Sequence, residues 1–206
     1  MKKTVIVMIL LLACAGTSRA GPVVVFSDDF NGETPGTNRV PSNWTVTGGT
    51  VDIIGSGPNG TAFDWMAGTG HGYYIDLDGT SQQAGLMTAK QTFDLLPGFQ
   101  YTLSFDLAGN NGPEGASETD TVLVKLGTNE WSIDDIPSDQ GWTSYSWVIP
   151  VGGSGLALSF QNTDGGDNIG PLLDNVQFTA IPAPGAIVLG SLGIGLVGWL
   201  RRRRAL

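Results

Sequence analysis

The chain has 206 residues, 31 of them glycine, with a formal net charge of −9, one cysteine and one histidine. Such an acidic balance repels nucleic acid, whose binding depends on cations. A single histidine excludes zinc sites built on paired histidines, and Cys14 has no partner for a disulfide.

The amino terminus reads as a secretory signal over residues 1–20. Met1-Lys2-Lys3 is a short basic start, Val5 to Leu12 is apolar, and Ser18-Arg19-Ala20 places small residues around a cut after Ala20. The apolar run is too short for a lasting membrane span. Leu11-Leu12-Ala13-Cys14 offers lipidation at Cys14 as an alternative, with bulky Leu12 a poor fit beside that cut.

Residues 21–180 form one domain of 160 residues, long enough for its own core. All 19 acidic residues lie here against three basic ones, Arg39, Lys90 and Lys125, giving a formal charge of −16. That charge suits solubility outside the cell and makes divalent cations natural companions. Turns are dense, and no helical period lasts three turns. Short runs rich in Val, Thr, Tyr, Phe and Trp predict strands: Trp44–Val46, Thr50–Ile54, Tyr73–Leu77, Thr88–Leu95, Phe99–Leu107, Thr121–Leu126, Thr143–Ile149, Leu156–Gln161 and Leu172–Thr179. In the clearest, Tyr101, Leu103, Phe105 and Leu107 alternate with Thr102, Ser104 and Asp106. Nine to eleven strands without intervening helices indicate an all-β antiparallel sandwich, with the jelly roll as the favoured version.

Chemistry finds little purchase. His71, in Gly70-His71-Gly72, has no serine partner that the sequence can assign, and Gly55-Ser56-Gly57 does not open a helix as a phosphate loop would. Glycoside hydrolysis needs two carboxylates at a suitable separation, which sequence cannot place. Aromatic platforms for sugar rings are a better prospect: Trp65, Tyr73, Tyr74, Trp131 and Trp142, with Trp131 foremost because its neighbours Asn129, Glu130 and Ser132 are polar. Trp44, Tyr145 and Trp147 fall within strand runs and read as core, although Tyr145 and Trp147 share a face that could be exposed.

Residues 181–206 complete the chain. Pro182 and Pro184 are followed by an uncharged apolar stretch to Leu200, then by Arg201, Arg202, Arg203 and Arg204. The 20 residues from Ile181 to Leu200 would make about 30 Å of helix at ~1.5 Å per residue, close to a bilayer core. The arginines would hold that end in the cytoplasm.

This tail resembles the PEP-CTERM sorting tail of Gram-negative bacteria, with Pro182-Ala183-Pro184 in place of the family's Pro-Glu-Pro. The resemblance implies export across the inner membrane, anchoring through the C-terminal helix, and processing by an exosortase-type membrane peptidase. It also implies a destination at the cell surface or in an exopolysaccharide or biofilm matrix. An ordinary anchor that is never processed is the alternative.

A second resemblance covers residues 26–179. Ser27-Asp28-Asp29-Phe30-Asn31, Asn43-Trp44-Thr45-Val46, Tyr74-Ile75-Asp76-Leu77-Asp78-Gly79, Tyr101 to Gly109 and Leu172-Leu173-Asp174-Asn175-Val176 occur in the order found in secreted PEP-CTERM proteins. Those proteins are similar to galactose-binding-like jelly rolls, the fold of many carbohydrate-binding modules. The resemblance implies a structural calcium between the first and last strands, held by Asp28, Asp29 and Asp174, with Glu33 nearby. Strand alternation puts Asp174 on the face of Val176 and Phe178, where a buried carboxylate needs a partner. The turn Asp164-Gly165-Gly166-Asp167-Asn168 is a second oxygen-rich candidate. The expected function is therefore a non-catalytic domain that binds extracellular polysaccharide. A purely structural matrix protein is the alternative, and a glycoside hydrolase a more distant one.

Overall fold

The computed structural model describes residues 21–183 except 67, 82, 113–118 and 151, together with positions 193, 196, 197, 200 and 202 of the tail. The signal, Cys14, Pro184, Arg201, Arg203 and Arg204 lie outside the described residues. Gly193, Leu196, Val197, Leu200 and Arg202 are helical. Among the described residues no helix is long and apolar enough to cross a membrane.

Twelve strands occur among the described residues: β1 (Val23–Asp28), β2 (Trp44–Thr47), β3 (Asp52–Gly57), β4 (Gly60–Ala62), β5 (Tyr73–Asp76), β6 (Leu86–Phe93), β7 (Phe99–Ala108), β8 (Thr119–Leu126), β9 (Asn129–Pro137), β10 (Thr143–Ile149), β11 (Leu156–Asn162) and β12 (Leu172–Pro182). They form two antiparallel sheets, a sandwich of jelly-roll type. The seven-stranded sheet runs β10-β7-β12-β5-β3-β4, with β1 also paired to β12, and the five-stranded sheet runs β2-β6-β11-β8-β9.

The period-two pattern of β7 does what it predicts. Tyr101, Leu103, Phe105 and Leu107 are buried, while Thr102, Ser104 and Asp106 are half-buried on the other face. Between the sheets the rings interlock edge to face, Phe105 with Phe160 at 5.0 Å and Phe93 with Phe178 at 4.9 Å between centroids. Trp44 is fully buried among Phe26, Phe30 and Phe160.

Three strands go beyond the nine runs read in the sequence: β1, β4 and β9. In β9 Trp131 and Ile133 point inward between exposed Glu130, Ser132 and Asp134, and Asp135 adopts a left-handed φ of 56° where the register with β8 shifts. The dense polar residues hid that alternation. At the carboxyl end, Ile181 and Pro182 still pair with Gln100 and Phe99, and the Ala183 N–H donates to the Gly98 carbonyl at 2.7 Å. The folded domain therefore runs past residue 180 and includes the start of the proline motif.

Candidate functional site

The outer face of the larger sheet carries an apolar row, Ile54, Tyr74, Leu172 and Ala108, crossing β3, β5, β12 and β7. Trp65, Met66 and Trp142 cover it. The loop carrying Trp65 and Met66 is pinned by Tyr74, whose hydroxyl accepts the Met66 N–H at 3.1 Å and donates to Asp64 Oδ1 at 3.0 Å. Burial pushes that phenol well above its usual range.

At one margin of this loop lies a cleft of about 220 Å³ lined by Phe63, Trp65, Ile54 and Ile169 and by the polar groups of Asp52, Asp76, Asn110 and Asn168. Phe63 is 56% exposed, sits 6.1 Å from the Trp65 ring and is held at a φ of 45°. A phenylalanine in the left-handed region costs on the order of 1–3 kcal/mol, a strain that concentrates at ligand-contacting positions. Asp52 and Asp76 oppose each other across β3 and β5. Asp52 accepts the Asn38 and Thr80 N–H groups and the Thr80 hydroxyl. Asp76 accepts the Asp78 and Gly170 N–H groups and the Asn110 amide. Burial, with Asp52 and Asp78 nearby, drives the Asp76 carboxyl well above the usual range against the pull of the Asp78 N–H. The side-chain oxygens of Asn110 and Asn168 are buried without a hydrogen-bond partner.

Asp174 is fully buried, but on the opposite face from the one its spacing suggests. It pairs with Asp106, whereas Phe178 pairs with Leu103, because the register slips between Asp174 and Gln177 with Asn175 at a φ of 52°. This β-bulge turns Asp174 away from the core. His71 and Trp142 cover it instead: His71 Nδ1 lies 2.7 Å from Asp174 Oδ2, and the two rings stack at 4.1 Å. Burial raises Asp174 to about 8, against the Asn175 N–H bond that lowers it, and Asp106, Asp29 and Asp28 add to the rise. Burial lowers His71, against Asp106. Both groups are thus driven toward their neutral forms.

The calcium implied between the first and last strands meets oxygens already engaged. Asp28 accepts from the Phe30 N–H, Asn43 Nδ2 and Trp44 Nε1 at 3.0, 3.2 and 2.8 Å. Asp29 accepts the Asn31 N–H, and Asp174 is held by Asn175 and His71. Glu33 bonds Ser42. Among the described residues no three His, Cys, Asp or Glu side chains converge to hold a metal ion. These residues do not fit a calcium there. The loop carrying Asp164 and Asp167 presents donors rather than oxygens inward: Gly166, Asp167 and Asn168 direct their N–H groups at Asp78 Oδ2, at 2.6, 3.2 and 3.1 Å. Both aspartates are exposed. Sequence reasoning passed over Asp52, Asp76, Asp78 and Asn110, although Asp76-Leu77-Asp78-Gly79 was visible as a motif.

The aromatic candidates divide. Tyr73 is fully buried, its hydroxyl bonded to Gly60 and Asn59, and offers no platform. Trp131 stacks on Trp147 at 5.0 Å, closing the side of the sandwich between the two sheets. Tyr145 and Trp147 pack half-buried against the core. Trp142 is committed to His71, which leaves Trp65, with the unanticipated Phe63, at a cleft. A broader groove of about 750 Å³ crosses the same outer face, lined by Ser27, Ser104, Asp106, Ser144, Ser146 and Gln177 among others. Its surface is polar, with Phe105 buried and Tyr145 turned onto Phe105.

Residues 27–179 match the profile of DUF642, described as a protein family of unknown function. The chain belongs to that family. No curated protein matches this DUF642 chain. Among solved structures it is similar to the K3 cleaved adhesin domain of Lys-gingipain from Porphyromonas gingivalis, 16% identical over 77% of this chain and 99% of that one, with a TM-score of 0.50. The CBM22-1 xylan-binding domain of Paenibacillus barcinonensis Xyn10C is also similar, at 16% identity over 81% and 99% of the chains and a TM-score of 0.46. So is the CBM22-1–GH10 part of Clostridium thermocellum xylanase 10B complexed with xylohexaose, at 16% identity and 0.48. This chain covers 28% of that xylanase chain, and 76% of its own length is matched. The likeness to the adhesin domain bears on the fold alone.

Proposed function

We propose that this chain is an exported, non-catalytic module that binds a sugar unit of an extracellular glycan in the cleft beside Phe63 and Trp65. The observation that carries the reading is the strained, exposed Phe63 ring set beside Trp65 over a polar floor. Flat apolar rings next to convergent hydrogen-bonding groups are what a sugar ring requires. The 220 Å³ cleft is smaller than the ~300–1,000 Å³ of a drug-sized pocket, which suits one sugar unit rather than a chain lying lengthwise. The xylan-binding and adhesin domains named above have the same sandwich.

Hydrolysis is disfavoured by the site itself. Asp76 is buried and its oxygens take three N–H bonds, so it is placed to accept from the protein rather than to protonate a glycosidic oxygen.

Export through residues 1–20, anchoring by the tail and processing near Pro182-Ala183-Pro184 by an exosortase-type peptidase belong to the same proposal, on the tail's layout. The intact mass of the mature protein from its native host tests this part: a C-terminus at Leu206 would overturn the processing. Binding of the purified full chain to a glycan array tests the first part. Binding lost in Trp65→Ala, in a variant that still unfolds cooperatively at a midpoint lowered by the lost packing on Ile54, Tyr74, Leu172 and Ala108, is the expected result. Binding that survives Trp65→Ala would move the site to the polar groove, and no binding to any glycan would favour a structural matrix role.

A further inference from the structure

Building on the glycan reading of the Phe63–Trp65 cleft, we infer that it takes an uncharged sugar and refuses uronic acids. The sugar's hydroxyls donate to the side-chain oxygens of Asn110 and Asn168, in a gap that Gly112 leaves open.

The floor of the cleft is short of donors. The carboxylate oxygens of Asp52 and Asp76 all take protein hydrogen bonds, from Asn38, Thr80, Asp78, Gly170 and Asn110. Amide oxygens are what remain unmet. Asn110 is 2% exposed, and its nitrogen donates to Asp76 Oδ2 at 2.7 Å. That bond fixes which end of the amide is nitrogen and leaves Oδ1 buried without a partner. Asn168 Oδ1, on a residue of the same lining, is also buried and unpartnered. Buried acceptors without a donor are rare in native folds, and an O–H group supplies what these two lack.

Gly112 sets where that group can sit. A β-carbon built on it would stand 3.4 Å from Asn110 Oδ1, 3.7 Å from Trp65 Cε2 and 3.8 Å from Trp65 Nε1. That point is therefore open space, rimmed by an unmet acceptor on one side and an indole edge on the other. A hydroxyl oxygen there, shifted about half an ångström toward Asn110, reaches hydrogen-bond distance of its amide oxygen. The sugar's apolar face is then beside the Trp65 and Phe63 rings, whose centroids are 6.1 Å apart.

Charge selects among sugars. No lysine or arginine is among the described residues that line the cleft, and residues 21–180 hold three basic groups against 19 acidic ones. A uronate would bring a carboxylate with no cation to pair with, and burying such a charge unpaired is costly. An uncharged pyranose brings hydroxyls, each able to donate.

The experiment measures binding of the full chain to immobilised xylo-, cello- and galacto-oligosaccharides and to oligogalacturonides of equal length. Binding to at least one uncharged series and none to the uronides is expected. Gly112→Ala is the deciding variant, because its methyl group fills the gap at ordinary contact distances in a backbone conformation that alanine also adopts. Its unfolding midpoint should stay put while affinity falls about tenfold or more, the scale of a lost buried hydrogen bond. Asn168→Gly removes the second oxygen where a φ of 75° suits glycine, and it should weaken binding to a similar degree. Should Gly112→Ala melt lower, Asn168→Gly alone decides. Wild-type affinity in the deciding variant, or uronides bound as tightly as the uncharged series, overturns the inference. If Trp65→Ala still abolishes binding in that case, the cleft remains the glycan site and only this assignment falls. Binding to none of the oligosaccharides overturns both.

Discussion

His71 Nδ1 sits 2.7 Å from Asp174 Oδ2, joining positions 103 residues apart, and the same imidazole stacks on Trp142. This contact ties the loop carrying Trp65 to the last strand and shields a carboxyl that the bulge at Asn175 has turned outward. Because burial drives both groups toward neutrality, the pair sets a pH dependence.

The sign follows from Asp174. Its folded value of about 8 lies above the ~3.9 of an unfolded aspartate, so the native state keeps its proton longer, and stability is full below ~4 and lost as pH rises toward 8. Asp76 and Asp120, the latter raised to about 6 by burial, act in the same direction. His71, lowered, works oppositely: its contribution is present above ~6.5 and is lost as pH falls. The carboxyls outnumber it, so the unfolding midpoint should be higher at pH 5.5 than at pH 8.5. Asp174→Asn should flatten that slope. A profile rising toward pH 8.5 would contradict the assignment.

Gly170 is held where no side chain fits. A Cβ there would lie 2.4 Å from the Asp78 backbone nitrogen and 2.9 Å from Asp76 Oδ1. Gly170→Ala should therefore cost on the order of 1–3 kcal/mol as an overpacking strain, read by denaturant midpoint.

Trp131 is expected to matter for stability rather than recognition. Its 5.0 Å stack on Trp147 bridges the two sheets. Trp131→Ala should lose about 3 kcal/mol, toward the lower end of buried tryptophan truncations because the ring is half-buried. Glycan binding should persist. Lost binding with an unchanged midpoint would restore Trp131 as a ligand platform.

Asp28 gathers three donors at the start of the fold, including the indole of fully buried Trp44. Asp28→Ala leaves them unpaired, and a charge-assisted network of this kind is worth about 2–4 kcal/mol. Urea unfolding measures it. A loss below ~0.5 kcal/mol, the scale of an ordinary surface substitution, would show that the network is not structural.

The sheet architecture was legible in the chain because burial on one face writes itself as a period of two, as in Tyr101, Leu103, Phe105 and Leu107. Strand β9 was hidden by acidic residues on its exposed face, and β4 is only three residues long. Asp174 shows the limit most directly. Its spacing from Val176 and Phe178 was read correctly, but one left-handed residue between them reversed its face. A bulge changes register without changing composition.

The sequence by itself determined an acidic all-β domain and excluded an internal disulfide and paired-histidine chemistry. These are properties of composition and local pattern, which tertiary packing does not alter. Only the tertiary structure decided which aromatics are free and which carboxylates share a site. Phe63 with Trp65, Asp52 with Asp76, and His71 with Asp174 are neighbours through strand pairing and loop docking, and such long-range contacts leave no periodic trace in the chain.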